Sequence, residues 1–172
     1  MQLLIWIMIL VMLIVATHFD IKARKIPNCF NLAFGLMGFT TVLLVAGVKG
    51  ALNSLVGVLI PVIVLMPLFA LRVIGAGDIK LISAIGAFVG TKVFLVAIYS
   101  FLSCGAYGLG LMIFRLIGEA NERKRIKVWV LNLMSGNIKY VRNEKCTKVA
   151  FSVFVLCGVV IYMLRHGEVL FT

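Results

Sequence analysis

Apolar runs recur along this chain, at 2–19, 29–48, 51–71, 93–117 and 146–164. Each comes close to the ~20 residues a helix needs to cross the ~30 Å hydrocarbon core of a bilayer. Only helices and closed barrels satisfy their own backbone hydrogen bonds in that core. A shorter run, 79–91, has Lys80 near its start, and the long stem of a lysine lets its ammonium reach the interface. Counting it as a span predicts an all-α membrane protein with six transmembrane helices in a single multi-pass domain, residues 1–172. Hydrophobic residues make up 63% of the chain and charged residues 13%, which excludes a soluble domain of ordinary composition.

Lysine and arginine collect on the cytoplasmic side of such proteins. With six spans, all but three of the 17 fall on one side; Lys49, Lys92 and Arg165 fall on the other. This predicts both termini outside and a basic cytoplasmic loop between spans 5 and 6. A five-span arrangement, with 79–90 re-entrant, fits that partition less well. Within the loop, segment 119–145 mixes Glu119, Glu122, Arg123, Lys124, Arg125 and Lys127 with Val128, Trp129, Val130 and Leu131. The pattern suits an amphipathic helix on anionic lipid headgroups or, equally, a solvated connector. The net charge of +11 is therefore read as topology and lipid contact, not as nucleic-acid binding. Cys29, Cys104, Cys146 and Cys157 form no CxxC pair, and neither a metal nor a cofactor is expected. The first run lacks a basic start and a small-residue cleavage signal, so it is expected to persist as the first span.

The chain has only two aspartates, Asp20 and Asp78, and both stand at the edges of apolar segments. Carboxylates near lipid are costly, which makes them functional candidates. Six spans bring both to the same side, where a carboxylate pair can share a proton and act as acid and base. Asp20 ends the first span, where the helix dipole disfavours an anion; Asp78 opens the next helix, where the dipole favours one. That asymmetry predicts Asp78 as the base that activates water and Asp20 as the acid, within a coupled pair. Taken singly, Asp20 also suits a juxtamembrane acid balanced by Lys22, Arg24 and Lys25, and Asp78 an N-cap after a glycine turn. Gly75 and Gly77 are expected to turn the backbone sharply, with φ > 0 at Gly77, and to permit close approach. Gly47 reads as an ordinary span residue. His18 suits an interfacial position better than a place in the pair. Serines 54, 83, 100, 103, 135 and 152 belong to no nucleophile motif, and no phosphate- or dinucleotide-binding fingerprint is present.

Two segments resemble the type IV prepilin peptidases, within the broader GxGD intramembrane aspartyl proteases. Asp20-Ile-Lys-Ala-Arg-Lys-Ile26-Pro27-Asn28 is similar to that family's aspartate, five-residue spacer and Ile-Pro segment. Gly75-Ala76-Gly77-Asp78-Ile79-Lys80 is similar to its G-x-G-D-x-K segment. The resemblance implies that Asp20 and Asp78 are a catalytic pair without metal, supported by the Gly75 and Gly77 turn and by Ile26, Pro27 and Lys80. It implies removal of a basic leader from prepilins or pseudopilins, commonly after a glycine. The reaction would take place at the cytoplasmic face of a bacterial or archaeal cell membrane, in pilus biogenesis or protein secretion. Long members add an N-terminal CxxC domain and methylate the new N-terminus; with 19 residues before Asp20 and no CxxC, this chain resembles the short form. The proline-containing segment that often leads into the family's last span is replaced here by Lys148-Val-Ala-Phe-Ser-Val-Phe154. Pro-Ala-Leu, which marks the presenilin branch, is absent. Two other readings stay open at this point. One is a broader intramembrane aspartyl protease, and the other is a non-enzymatic proton-coupled transporter or assembly subunit using the aspartates as relays.

Overall fold

The computed structural model describes residues 2–23, 26–71, 73–117, 128, 131, 135 and 150–166. Its elements are all helical: α1 (Gln2–Ala23), α2 (Asn28–Ala70), α3 (Ala76–Val89), a 3₁₀ turn (Gly90–Lys92), α4 (Val93–Ile117) and α5 (Phe151–His166). Three stretches are long and apolar enough to cross a membrane: Leu3–Ala23, Asn28–Ala70 and Ala76–Phe114. The chain divides into two compact units, Met1–Ser103 with Ala150–Thr172, and Cys104–Val149. The second unit is described chiefly through the later half of α4. The expected amphipathic segment 119–145, along with Arg24, Lys25 and Arg72, lies outside the described residues.

The runs expected as separate helices at 29–48 and 51–71 join into one element. α2 has 43 residues, which at 1.5 Å per residue is ~65 Å, about twice the ~30 Å hydrocarbon core. The element is broken inside, at Gly47, where φ is 65° and ψ is −160°. Glycine takes positive φ without the Cβ penalty of other residues, so the break falls there and not at the neighbouring Lys49. Gly47 is therefore no ordinary span residue, contrary to the sequence expectation. The helix expected at 79–91 begins three residues earlier, at Ala76, because Gly75 is extended and serves as its N-cap. It ends at a second positive-φ glycine, Gly90, and the N–H of Thr91 donates to Oδ1 of Asn53 at 3.2 Å across that break.

α3 is the centre of the first unit. Residues 81–90 are all buried, and apart from Ser83 this enclosed part of the helix carries no polar side chain, as burial on every face demands. Its main partner is α2. Lipid tails are as apolar as leucine, so helices in a membrane associate through close packing of small residues rather than by escaping water. Gly86 lies against the backbone of Gly57 and Gly38 against the ring of Phe88, while the hydroxyl of Ser54 donates to the Ala87 carbonyl at 2.5 Å. α1 pairs with α5. It contributes Ile5, Trp6, Ile9, Met12, Leu13 and Ala16, a helical stripe that is buried throughout. Trp6 meets Tyr162 with ring centroids 5.9 Å apart. The opposite stripe of α1, with Leu3, Leu4, Ile7, Val11 and Ile14, is exposed.

Candidate active site

Asp20 lies in the last turn of α1, and the ring of Phe19 beside it packs edge-on to Phe30 of α2 at 5.9 Å. Phe30 continues to Phe34 at 4.7 Å, so an aromatic row ties the end of α1 to the start of α2. That start is set by Pro27. Its fixed φ of −59° sits at the N-cap, and its carbonyl accepts from the N–H groups of Phe30 and Asn31. A proline here costs no helical hydrogen bond. Ile26 packs against the core.

Asp78 is the third residue of α3, not its N-cap. Its Oδ2 accepts from the N–H of Gly75 at 3.3 Å, satisfying one of the donors a helix leaves unpaired at its start. The sequence reading of the glycines needs correction. Gly75 has φ −79°, and the positive-φ glycines among the described residues are Gly47 and Gly90, so Gly77 is not strained. Gly77 instead leaves bare space: nothing lies within 4 Å of where its Cβ would be. The close-approach argument keeps its basis; the φ > 0 argument does not. Lys80 is exposed, and its Nζ donates to Oδ1 of Asn28 at 2.9 Å. The two sequence segments that carry the resemblance are thus joined by a hydrogen bond spanning 52 positions.

Asp20 and Asp78, 58 residues apart in sequence, lie close enough to interact electrostatically. Both are half-buried. His18 is exposed, with its ring edge-on to Phe19 at 6.4 Å. Among the described residues no group of three or more His, Cys, Asp or Glu side chains gathers that could hold a metal ion.

Sequence reasoning missed Ser152. This residue is fully buried in the first turn of α5, and both its hydroxyl (2.7 Å) and its N–H (3.3 Å) donate to Oδ2 of Asp20. The N–H is one of the first-turn donors that α5 itself cannot pair. Asp20 therefore stands at the C-terminal end of its own helix and at the N-terminal end of another. These dipoles oppose each other, and the simple assignment of acid and base from helix ends loses its basis. The only sequence signal for Ser152 was its place in the segment leading to the last helix.

The family model described as the type IV leader peptidase family matches residues 7–109, well over half of the chain and both aspartates. The match stops before α5, so the Ser152 contact lies beyond it. No curated protein and no solved structure matches the chain. The match over residues 7–109, which takes in both aspartates and the hydrogen-bonded Asn28 and Lys80, places this chain in the type IV leader peptidase family, the aspartic peptidases that act on prepilin leaders.

Proposed function

We propose that Asp20 and Asp78 are the catalytic pair, and that the chain removes the basic leader of a prepilin or pseudopilin at the cytoplasmic face of a bacterial or archaeal cell membrane. The observation that carries this is that the chain's only two aspartates, 58 residues apart in sequence, come within electrostatic reach of each other. One carboxylate takes a proton from water as the oxygen attacks the scissile carbonyl carbon. The other, protonated, donates to the carbonyl oxygen. Collapse of the tetrahedral intermediate breaks the C–N bond, and the amine leaves with a proton from the pair. Gly75 and Gly77 keep the approach to Asp78 clear, and Ile26, Pro27 and Lys80 hold the start of α2 against α3. The experiment is co-expression with a precursor that carries a basic leader, a glycine and an apolar helix. A shift to the mature mass on a gel supports the reading, and no shift with any such precursor refutes it.

In the same reading, α2 crosses the bilayer twice around Gly47, and α3 with α4 crosses twice around Gly90. With α1 and α5 this makes six crossings and puts both aspartates on the side rich in lysine and arginine. The basic segment 115–148 then lies on anionic headgroups. In a background without the four native cysteines, single cysteines near Lys49, Lys92 and Thr172 are expected to label from outside the cell. Those near Lys25, Arg72 and Lys127 are expected to stay protected. External labelling near Arg72 puts Asp78 on the wrong face and ends the leader-peptidase reading.

Ser152 acts as the positioning residue for Asp20. A hydrogen bond to a charged group is worth ~1.5–3 kcal/mol, so Ser152→Ala is expected to lower kcat by roughly 10- to 100-fold. Ser152→Thr, which keeps the hydroxyl, should retain more activity than Ser152→Ala. Equal rates for Ser152→Ala and the unmodified chain would show that Asp20 needs no such support.

A further inference from the structure

A cleft of about 640 Å³ opens between the two halves of α2 and one flank of α3. The Asn28–Lys80 pair forms one end of it, and Leu36, Phe39, Val58 and Val62 line its apolar wall. Just inside the polar end lie Asn31 and Ser83, only 5% and 7% exposed. Neither the amide of Asn31, at Nδ2 or Oδ1, nor the hydroxyl of Ser83 has a hydrogen-bond partner among the described residues. Buried polar groups are almost always paired, and an orphan costs ~1–3 kcal/mol. The three orphaned atoms belong to two residues that line one cleft, so a side-chain rotation toward it lets a ligand there supply the missing partners.

The chemistry of these groups selects the ligand. Asn31 presents a donor and an acceptor side by side. A lipid ester offers only acceptors and would leave Oδ1 unpaired. The edge of an extended peptide offers N–H and C=O groups together and pairs with both. Peptide backbone that leaves the helix near lipid must find such partners, and a scissile carbonyl must leave the helix to be attacked. From Asn28 to Phe39 the cleft runs eleven helical positions, ~16 Å at 1.5 Å each, which is room for about five extended residues. At 100° per residue, Gly77 lies on α3 between Asp78 and Lys80, and nothing lies within 4 Å of its Cβ position.

We propose that this cleft is the subsite for the apolar side of the scissile bond. It takes about five extended residues, whose backbone pairs with Asn31 and Ser83 while their side chains lie on the apolar wall. The proposal rests on the leader-peptidase reading, under which the other side of the bond is the basic leader.

The probe is a synthetic peptide with a basic leader, a glycine and an apolar helix, carrying a benzophenone side chain four residues beyond the glycine. It is photolysed with the unmodified chain in phosphatidylethanolamine–phosphatidylglycerol nanodiscs. Adducts are expected on segments 28–39 or 80–84 and should be lost when Leu36→Trp fills the cleft. Adducts on phospholipid alone, or on other segments, overturn the proposal. In kinetics, Asn31→Leu is expected to raise KM about tenfold, with the loss on KM and not on kcat. The melting temperature of the peptide-free chain should not fall, because an orphaned amide has been removed. A lower melting temperature with unchanged KM assigns Asn31 to the architecture and overturns the proposal. If Asn31→Leu does not fold, Ser83→Ala carries the same KM test. Photolysis needs binding only, so a peptide that is captured but never cut refutes the peptidase reading, and with it the scissile-bond subsite, and leaves the cleft as a peptide-binding site alone.

Discussion

Asp20→Asn and Asp78→Asn are each expected to stop leader removal, with turnover lower by about 10³-fold or more, while the protein still inserts and folds. Acid and base catalysis by a positioned side chain contributes ~10²–10⁴-fold, and each substitution removes one half of a pair whose members act together. Asparagine keeps the shape and an accepting oxygen. The contacts from Ser152 to residue 20 and from Gly75 to residue 78 therefore survive. This separates chemistry from folding: melting temperature and membrane yield should match the unmodified chain while the precursor stays uncut. Near-normal cleavage by either variant removes the aspartyl mechanism.

Gly86→Val is expected to cost most of the folded yield. A Cβ at Gly86 would meet the carbonyl of Gly57 and the N–H of Val58, and one at Gly57 would meet the carbonyls of Gly86 and Gly90. These obstacles are backbone atoms, which no rotamer change moves aside. α2 and α3 must separate, and the shared hydrogen bond from Ser54 to Ala87 goes with them. Overpacking a dense core typically costs 1–3 kcal/mol, about 2 kcal/mol at the middle of the range, a large share of the stability of most domains. Fluorescence-detected gel filtration and a thermal melt in detergent measure the loss. Gly105→Ala is the control, because nothing lies within 4 Å of its Cβ position. If Gly86→Val matches that control, the close contact of the two helices is not what holds α3.

The helices were legible in the sequence because period does not matter where everything is apolar: length alone marks them. α4 occupies Val93–Ile117, the same bounds as its apolar run. What length does not reveal is where a long element bends. Lys49 and Gly50 looked like a boundary, yet the break is at Gly47, where the backbone needs positive φ. The two aspartates stood out by residue type, since a carboxylate beside lipid demands a reason. Ser152, Asn31 and Ser83 carry no such signal. A lone small polar residue in an apolar run is ordinary, and its meaning depends on what the fold sets opposite it. For Ser152 that is a carboxylate 132 positions away, and for Asn31 and Ser83 an unfilled space.

Asp78 rides on α3, which is clamped to α2, whereas Asp20 rides on α1, which is tied to α5 through the Trp6–Tyr162 packing and the Ser152 hydrogen bonds. Contact between α1 and α3 is sparse by comparison. The two carboxylates thus stand on different helix pairs, which are joined beside Asp20 by the Phe19–Phe30–Phe34 row and along their length by a shared apolar core. The spacing of the carboxylates is therefore a property of how the two pairs pack on each other, and not of either aspartate's own helix.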